Sequence, residues 1–110
     1  MANITMYLDF ISPYAYLAFK QIGRGLHDRT EITYRPILFA GLLNHYGQLG
    51  PAEIPHRREW TFLQALWQGK EAGIPIQLPK SHPFNPLALL RLAIAETNSG
   101  NPTRETCDRI

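Results

Sequence analysis

Near the start of the chain Ile4, Met6, Leu8 and Phe10 alternate with Thr5, Tyr7 and Asp9. A period of two puts successive side chains on opposite faces, which predicts a β-strand over about Thr5 to Phe10. The period then changes. Ala15, Ala18, Phe19, Ile22 and Leu26 recur at i, i+3, i+4, i+7 and i+11, one face of a helix. That helix is predicted over about Pro13 to His27, closed by Asp28-Arg29-Thr30. At the corner, Ser12 falls at N-cap and Pro13 at N1, where a missing N–H leaves nothing unsatisfied and the ring pre-sets φ.

A second strand is predicted at about Ile32 to Leu38, so the first three elements make a βαβ unit with parallel strands and a right-handed crossover. Pro36 removes a ladder donor and places this strand at an edge or ends it there. From Phe39 to Pro55 the pattern loosens. Ala40-Gly41-Leu42-Leu43-Asn44 reads as a short helical turn, and Gly47, Gly50, Pro51 and Pro55 punctuate a loop.

His56 to Ala72 reads as a helix that turns Trp60, Leu63, Leu66 and Trp67 to the core, with Gly73 as its left-handed C′ residue. Gly69 within it costs about 1 kcal/mol relative to Ala. Ile74 to His82, bounded by Pro75, Pro79 and Pro83, reads as an extended connection. Asn85 and Pro86 repeat the N-cap and N1 signal for a helix to about Thr97, with Leu87, Leu90, Ala93 and Ile94 as its apolar face. Thr103 caps a last helical segment that runs to Ile110.

Composition narrows the function classes. The chain has 110 residues, 45% of them apolar, which suits one domain with a real core. Eleven basic against nine acidic side chains give a net charge of +2. With no Lys/Arg stripe interleaved with aromatics, nucleic acid is not an expected partner. Apolar runs stay well short of the ~20 residues of a membrane helix, and the first residues lack a leader pattern, so the expected location is cytoplasmic. The single Cys107 excludes an internal disulfide and a Cys-x-x-Cys pair, and reads as incidental. His82 has no partner at metal-ligand spacing, and no metal is assigned.

The strand-to-helix corner holds the chemistry. It offers a serine hydroxyl, first-turn N–H groups and the positive end of a helix dipole, all anion-stabilising parts, outside the carboxyl end of a strand where open α/β sheets bind ligands. Ser followed by Pro is equally an ordinary way to begin a helix. A hydroxyl without an adjacent base is a poor nucleophile, and the sequence places none of His27, His45, His56 or His82 beside Ser12. As a hydrogen-bond donor to an anion it needs no base.

Leu8-Asp9-Phe10-Ile11-Ser12-Pro13-Tyr14-Ala15-Tyr16-Leu17-Ala18, Arg35-Pro36-Ile37-Leu38, Gly41-Leu42-Leu43, Gly50-Pro51, Ile54-Pro55-His56-Arg57-Arg58 and the segments Gly73-Ile74-Pro75 and His82-Pro83-Phe84-Asn85-Pro86 together resemble the 2-hydroxychromene-2-carboxylate isomerase family. That family is similar to kappa-class glutathione transferases. The resemblance implies an α/β, thioredoxin-like fold of the DsbA type: a βαβ half over residues 1–40, then a connecting loop and the start of an all-helical insertion over 41–110. Members are longer, so the expectation is a single incomplete domain whose C-terminal half is missing.

It further implies that Ser12 is the catalytic residue and stands where redox thioredoxins carry a nucleophilic cysteine. There it would hold the thiolate of bound glutathione, the expected cofactor. Pro13 and Tyr14 would border the tripeptide, Gln48 would meet its peptide with Asn44 as a competing choice, and Arg57 would face a carboxylate. The thiolate would add to a small aromatic substrate and then leave after cis-trans isomerisation, or stay bound in the transferase variant. A homodimer is a further expectation of the resemblance. The alternative is a non-catalytic DsbA-like ligand-binding remnant.

Overall fold

The computed structural model describes residues 2–25, 30–77, 80, 84–97 and 100–110. β1 (Ala2–Leu8) leads through α1 (Pro13–Gly25) to β2 (Thr30–Pro36), and the strands pair in parallel from Ala2↔Thr30 to Leu8↔Pro36. Four further helices follow among the described residues: α2 (Phe39–His45), α3 (Arg57–Ala72), α4 (Leu87–Ala95) and α5 (Arg104–Arg109), with a 3₁₀ turn at Pro51–Glu53. The βαβ unit is as the alternation predicts. Its expected helix end at His27 lies outside the described residues.

β1 stops two residues before Phe10. The Asp9 carbonyl accepts the Ser12 N–H at 3.1 Å and the Asp9 carboxylate accepts the Ile11 N–H at 3.3 Å, so Asp9 to Ser12 is a turn and no longer a ladder. β2 closes on Pro36, which has no N–H to give.

α1 separates two apolar clusters. On the sheet side Phe19 meets Leu8, Tyr34 and Cys107, with Phe19 and Tyr34 edge to face at 5.4 Å between ring centroids. On the other side Leu17 packs with Ala65 of α3 and Ile74. Cys107 is therefore a core residue and not incidental, because α5 docks on the sheet. Arg104 Nη1 donates to the Tyr34 hydroxyl at 2.9 Å and Nη2 to the Phe19 carbonyl at 3.1 Å, while its guanidinium lies 4.2 Å from the Phe19 ring centroid. Lys20 and Asp108 form an ion pair on the same contact. Thr103 caps α5 as expected, its hydroxyl accepting the Thr106 N–H at 3.2 Å.

The expected apolar face of α3 is corrected by the structure. Trp60, Leu63 and Trp67 are 59%, 68% and 62% exposed, and the buried residues of this helix are Ala65 and Gly69. Small side chains win the inner face because they let α3 approach closely. A Cβ on Gly69 would lie 2.8 Å from the Ile74 carbonyl oxygen and 2.9 Å from Ile76 Cδ1. Gly73 does close α3 in the left-handed region, at φ 69°.

α4 begins one residue later than the Asn-Pro signal implies. Asn85 Oδ1 accepts the Leu87 N–H at 3.0 Å, so Asn85 does cap, but Pro86 stands just outside the helix. The helix also ends at Ala95, short of Thr97, with Leu90 and Ala93 buried and Ile94 exposed.

Candidate functional site

Ser12 is fixed from both sides. Its N–H goes to the Asp9 carbonyl at 3.1 Å, its carbonyl accepts the Tyr16 N–H at 3.1 Å, and its Oγ accepts the Ala15 N–H at 3.1 Å. A hydroxyl has one donor and two acceptor positions, so capping the helix uses an acceptor and leaves the proton available to donate. The same oxygen can therefore start α1 and serve an anion. The two functions are compatible.

Asp9 builds the ground around it. Only 5% exposed, its carboxylate also accepts the Phe39 N–H at 2.8 Å. α2 has no side-chain cap of its own at Leu38. A carboxylate from the end of β1 takes that place, at the positive end of the helix.

Three clefts reach Ser12, and two of them also reach Pro13. Of these two, one runs between the corner and α2 and is walled by Ile11, Tyr14, Phe39 and Leu43, with Phe62 and Arg58 from α3. The other lies across the corner, between Phe10 and Tyr16 on one side and Pro75, Ile76 and Phe84 on the other. Ser12 and Pro13 line both. The Tyr14 hydroxyl donates to Gln64 Oε1, which turns its ring toward α3.

Gln48 and Arg57 do not line either cleft. Gln48 is exposed after α2, its N–H bonded to the Leu43 carbonyl at 2.8 Å. Arg57 is exposed at the first residue of α3, and Asn44 is exposed near the end of α2. Arg58, one residue on and about 100° round the helix, is the basic side chain at the first cleft. The Arg57-Arg58 pair carried that signal, but the helix register decides which of the two faces inward. Asp9, too, was missed as a site-building residue.

Neither His45 nor His56 lines these clefts, and His27 and His82 lie outside the described residues. Among the described residues no group of three His, Cys, Asp or Glu is placed to hold a metal ion, and no helix is long and apolar enough to cross a membrane.

A parallel βαβ unit with an N-capping serine at the mouth of its helix suits a thioredoxin-type domain. Residues 3–106 match the family model of the DSBA-like thioredoxin domain, and the chain belongs to that family. It is similar to glutathione S-transferase kappa 2 of Caenorhabditis elegans, 33% identical over 81 residues, which cover 72% of this chain and 36% of that protein. It is also similar to glutathione S-transferase kappa 1 of Rattus norvegicus, 30% identical over 78 residues, covering 70% of this chain and 34% of the relative. The matched stretch thus spans about a third of each relative's length. No solved structure matches the chain at comparable significance.

Proposed function

We propose that this domain serves a glutathione-dependent enzyme, in which the Ser12 hydroxyl donates a hydrogen bond to the thiolate of bound glutathione. The observation that carries the reading is the bond from the Ala15 N–H to Ser12 Oγ, which occupies an acceptor position and leaves the hydroxyl proton for a ligand in the clefts. Kappa-class glutathione transferases among the similar proteins support the choice of thiol.

A cysteine-like thiol has a pKa of about 8.5 and is mostly protonated at neutral pH. One hydrogen bond to the charged form is worth about 1.5–3 kcal/mol, enough to lower that value by about one to two units. The thiolate then becomes a major species. Among the described residues no histidine lines the clefts, which suits Ser12 acting on the ligand's sulfur as a donor and not as the attacking group.

The apolar walls Ile11, Phe39, Leu43 and Phe62 suit an aromatic co-substrate, and Arg58 suits a carboxylate on either ligand. Pro13 and Tyr14 border the tripeptide. In the isomerase form the sulfur adds to an electron-poor carbon of a 2-hydroxychromene-2-carboxylate-like ring, and the ring C–O bond opens. The chain then rotates about the bond that has become single, and the C–S bond breaks to return glutathione. The transferase form keeps the C–S bond.

Titration with glutathione while following the near-ultraviolet absorbance of the thiolate tests this. Saturable absorbance that is lost in Ser12→Ala is the expected result. No saturable signal in the unaltered chain overturns it and favours a binding domain without chemistry.

A further inference from the structure

Ile11, Ser12 and Pro13, consecutive residues of the corner, line both of the clefts that reach Pro13, and among the other described residues only Phe62 of α3 does the same. Its half-buried ring therefore stands between the two spaces, across from the corner. The spaces differ in size. The one beside α2 has a volume of about 140 Å³ and the one beside Pro75 and Ile76 about 530 Å³.

An apolar cavity of about 150 Å³ holds one benzene ring. The smaller cleft is of that size, and Ile11, Phe39, Leu43 and Phe62 give it apolar walls. Its width is also set. The Tyr14 hydroxyl bonds to Gln64 Oε1, which ties the first turn of α1 to α3, and the Asp9 carboxylate bonds to the Phe39 N–H, which ties the corner to α2. The elements that frame the cleft are thereby linked to one another, so a second fused ring finds room only by displacing Phe62 toward the larger cleft. Displacing a packed ring costs binding energy that a one-ring compound keeps, and a difference of that kind is what specificity consists of.

We infer that Phe62 is a specificity-determining residue: it separates the two clefts and limits the one beside α2 to a single aromatic ring, seated against Ser12. That ring's part as co-substrate rests on the glutathione reading, and within that reading the limit favours the transferase form on a one-ring electrophile over the bicyclic isomerase substrate. The size limit itself is a property of the cavity and holds with or without a thiol.

Amide chemical-shift titrations of the 110-residue chain, of Phe62→Leu and of Phe62→Ala with phenol and with 2-naphthol, in the absence of glutathione, provide the test. The parent is expected to bind phenol more tightly than 2-naphthol, with the shifts centred on Phe39 and Leu43. Apolar area alone would give the opposite order. Phe62→Ala joins the clefts and is expected to reverse the preference, changing the ratio of the two dissociation constants by about tenfold or more, with Phe62→Leu in between. Phe62 belongs to neither buried cluster, so both variants should keep their helix content by circular dichroism. A parent that prefers 2-naphthol or binds neither compound would overturn the inference, as would a ratio that Phe62→Ala leaves unchanged. Ring selectivity that moves with Phe62 in a chain giving no glutathione signal would support the inference and end the glutathione reading alone. A glutathione signal without ring selectivity would do the reverse.

Discussion

The carboxylate of Asp9 accepts the backbone N–H of Phe39 at 2.8 Å, joining positions 30 residues apart in the chain. Its other oxygen accepts the Ile11 N–H at 3.3 Å. One buried side chain thus ties the corner that carries Ser12 to the first residue of α2, the two walls of one cleft.

Asp9→Asn preserves the shape of that link but must turn an NH₂ toward one of two N–H donors. A buried donor left facing a donor, together with a lost charge-assisted bond, is expected to destabilise the fold by about 2–4 kcal/mol. Urea denaturation should show a lower midpoint at an unchanged slope. A change under about 0.5 kcal/mol, the level of ordinary surface substitutions, would mean that the carboxylate does not hold the corner.

Ser12 has a structural and a proposed chemical function, and one substitution separates them. Aspartate is as good an N-cap as serine and suits the helix dipole, so Ser12→Asp should stay within about 0.5 kcal/mol of the parent in stability. Its carboxylate offers no proton and repels a thiolate, so the glutathione absorbance signal should vanish. Ser12→Ala should lose the signal and also about 1 kcal/mol of stability. A Ser12→Asp protein that still builds up bound thiolate would remove the donor from the proposal.

Gly69→Ala sets helix propensity against packing. In an exposed helix interior the change would stabilise by about 1 kcal/mol. Here the new Cβ would come within 2.8 Å of the Ile74 carbonyl oxygen, a backbone atom that cannot move aside without shifting the turn after α3. Overpacking of this kind costs about 1–3 kcal/mol, so the net effect is expected to be destabilising. A rise in melting temperature would show that α3 and the Ile74 segment are not in close contact.

Local chemistry was legible wherever it was local. The cap at Ser12, the end of β2 at Pro36, the left-handed Gly73 and the cap at Thr103 all depend on residues within a turn of one another, and each is where the pattern puts it. What failed were questions of orientation and distance. Periodicity finds a stripe of large apolar residues on α3 but cannot say whether that stripe faces inward, and packing gave the inner face to Ala65 and Gly69. Nothing near Leu38 announces that the cap of α2 comes from Asp9. Cys107 looked incidental because its neighbours Leu8, Phe19 and Tyr34 are remote in sequence. Arg57 and Arg58 were indistinguishable until the register of α3 fixed which one lines the cleft.

Cys107 gives the chain a specific alkaline weakness. Burial pushes its thiol pKa above the ordinary value, an effect that the nearby positive charge of Arg104 partly offsets. In the unfolded chain the thiol ionises near its ordinary pKa, about 8.5. Between that pH and the raised folded value the native state keeps a proton that the unfolded state has lost, so stability falls as pH rises and is unaffected below. Other groups also titrate in this range, and the clean measurement is the difference in unfolding free energy between the parent and Cys107→Ala. At pH 7 the alanine variant should be less stable by about 1 kcal/mol, for the lost packing of a buried sulfur. That gap should close as the pH is raised from about 8 to 10, because the variant has no thiol to ionise on unfolding. A gap that stays constant over this range would mean that the thiol titrates alike in both states and that α5 does not shield it.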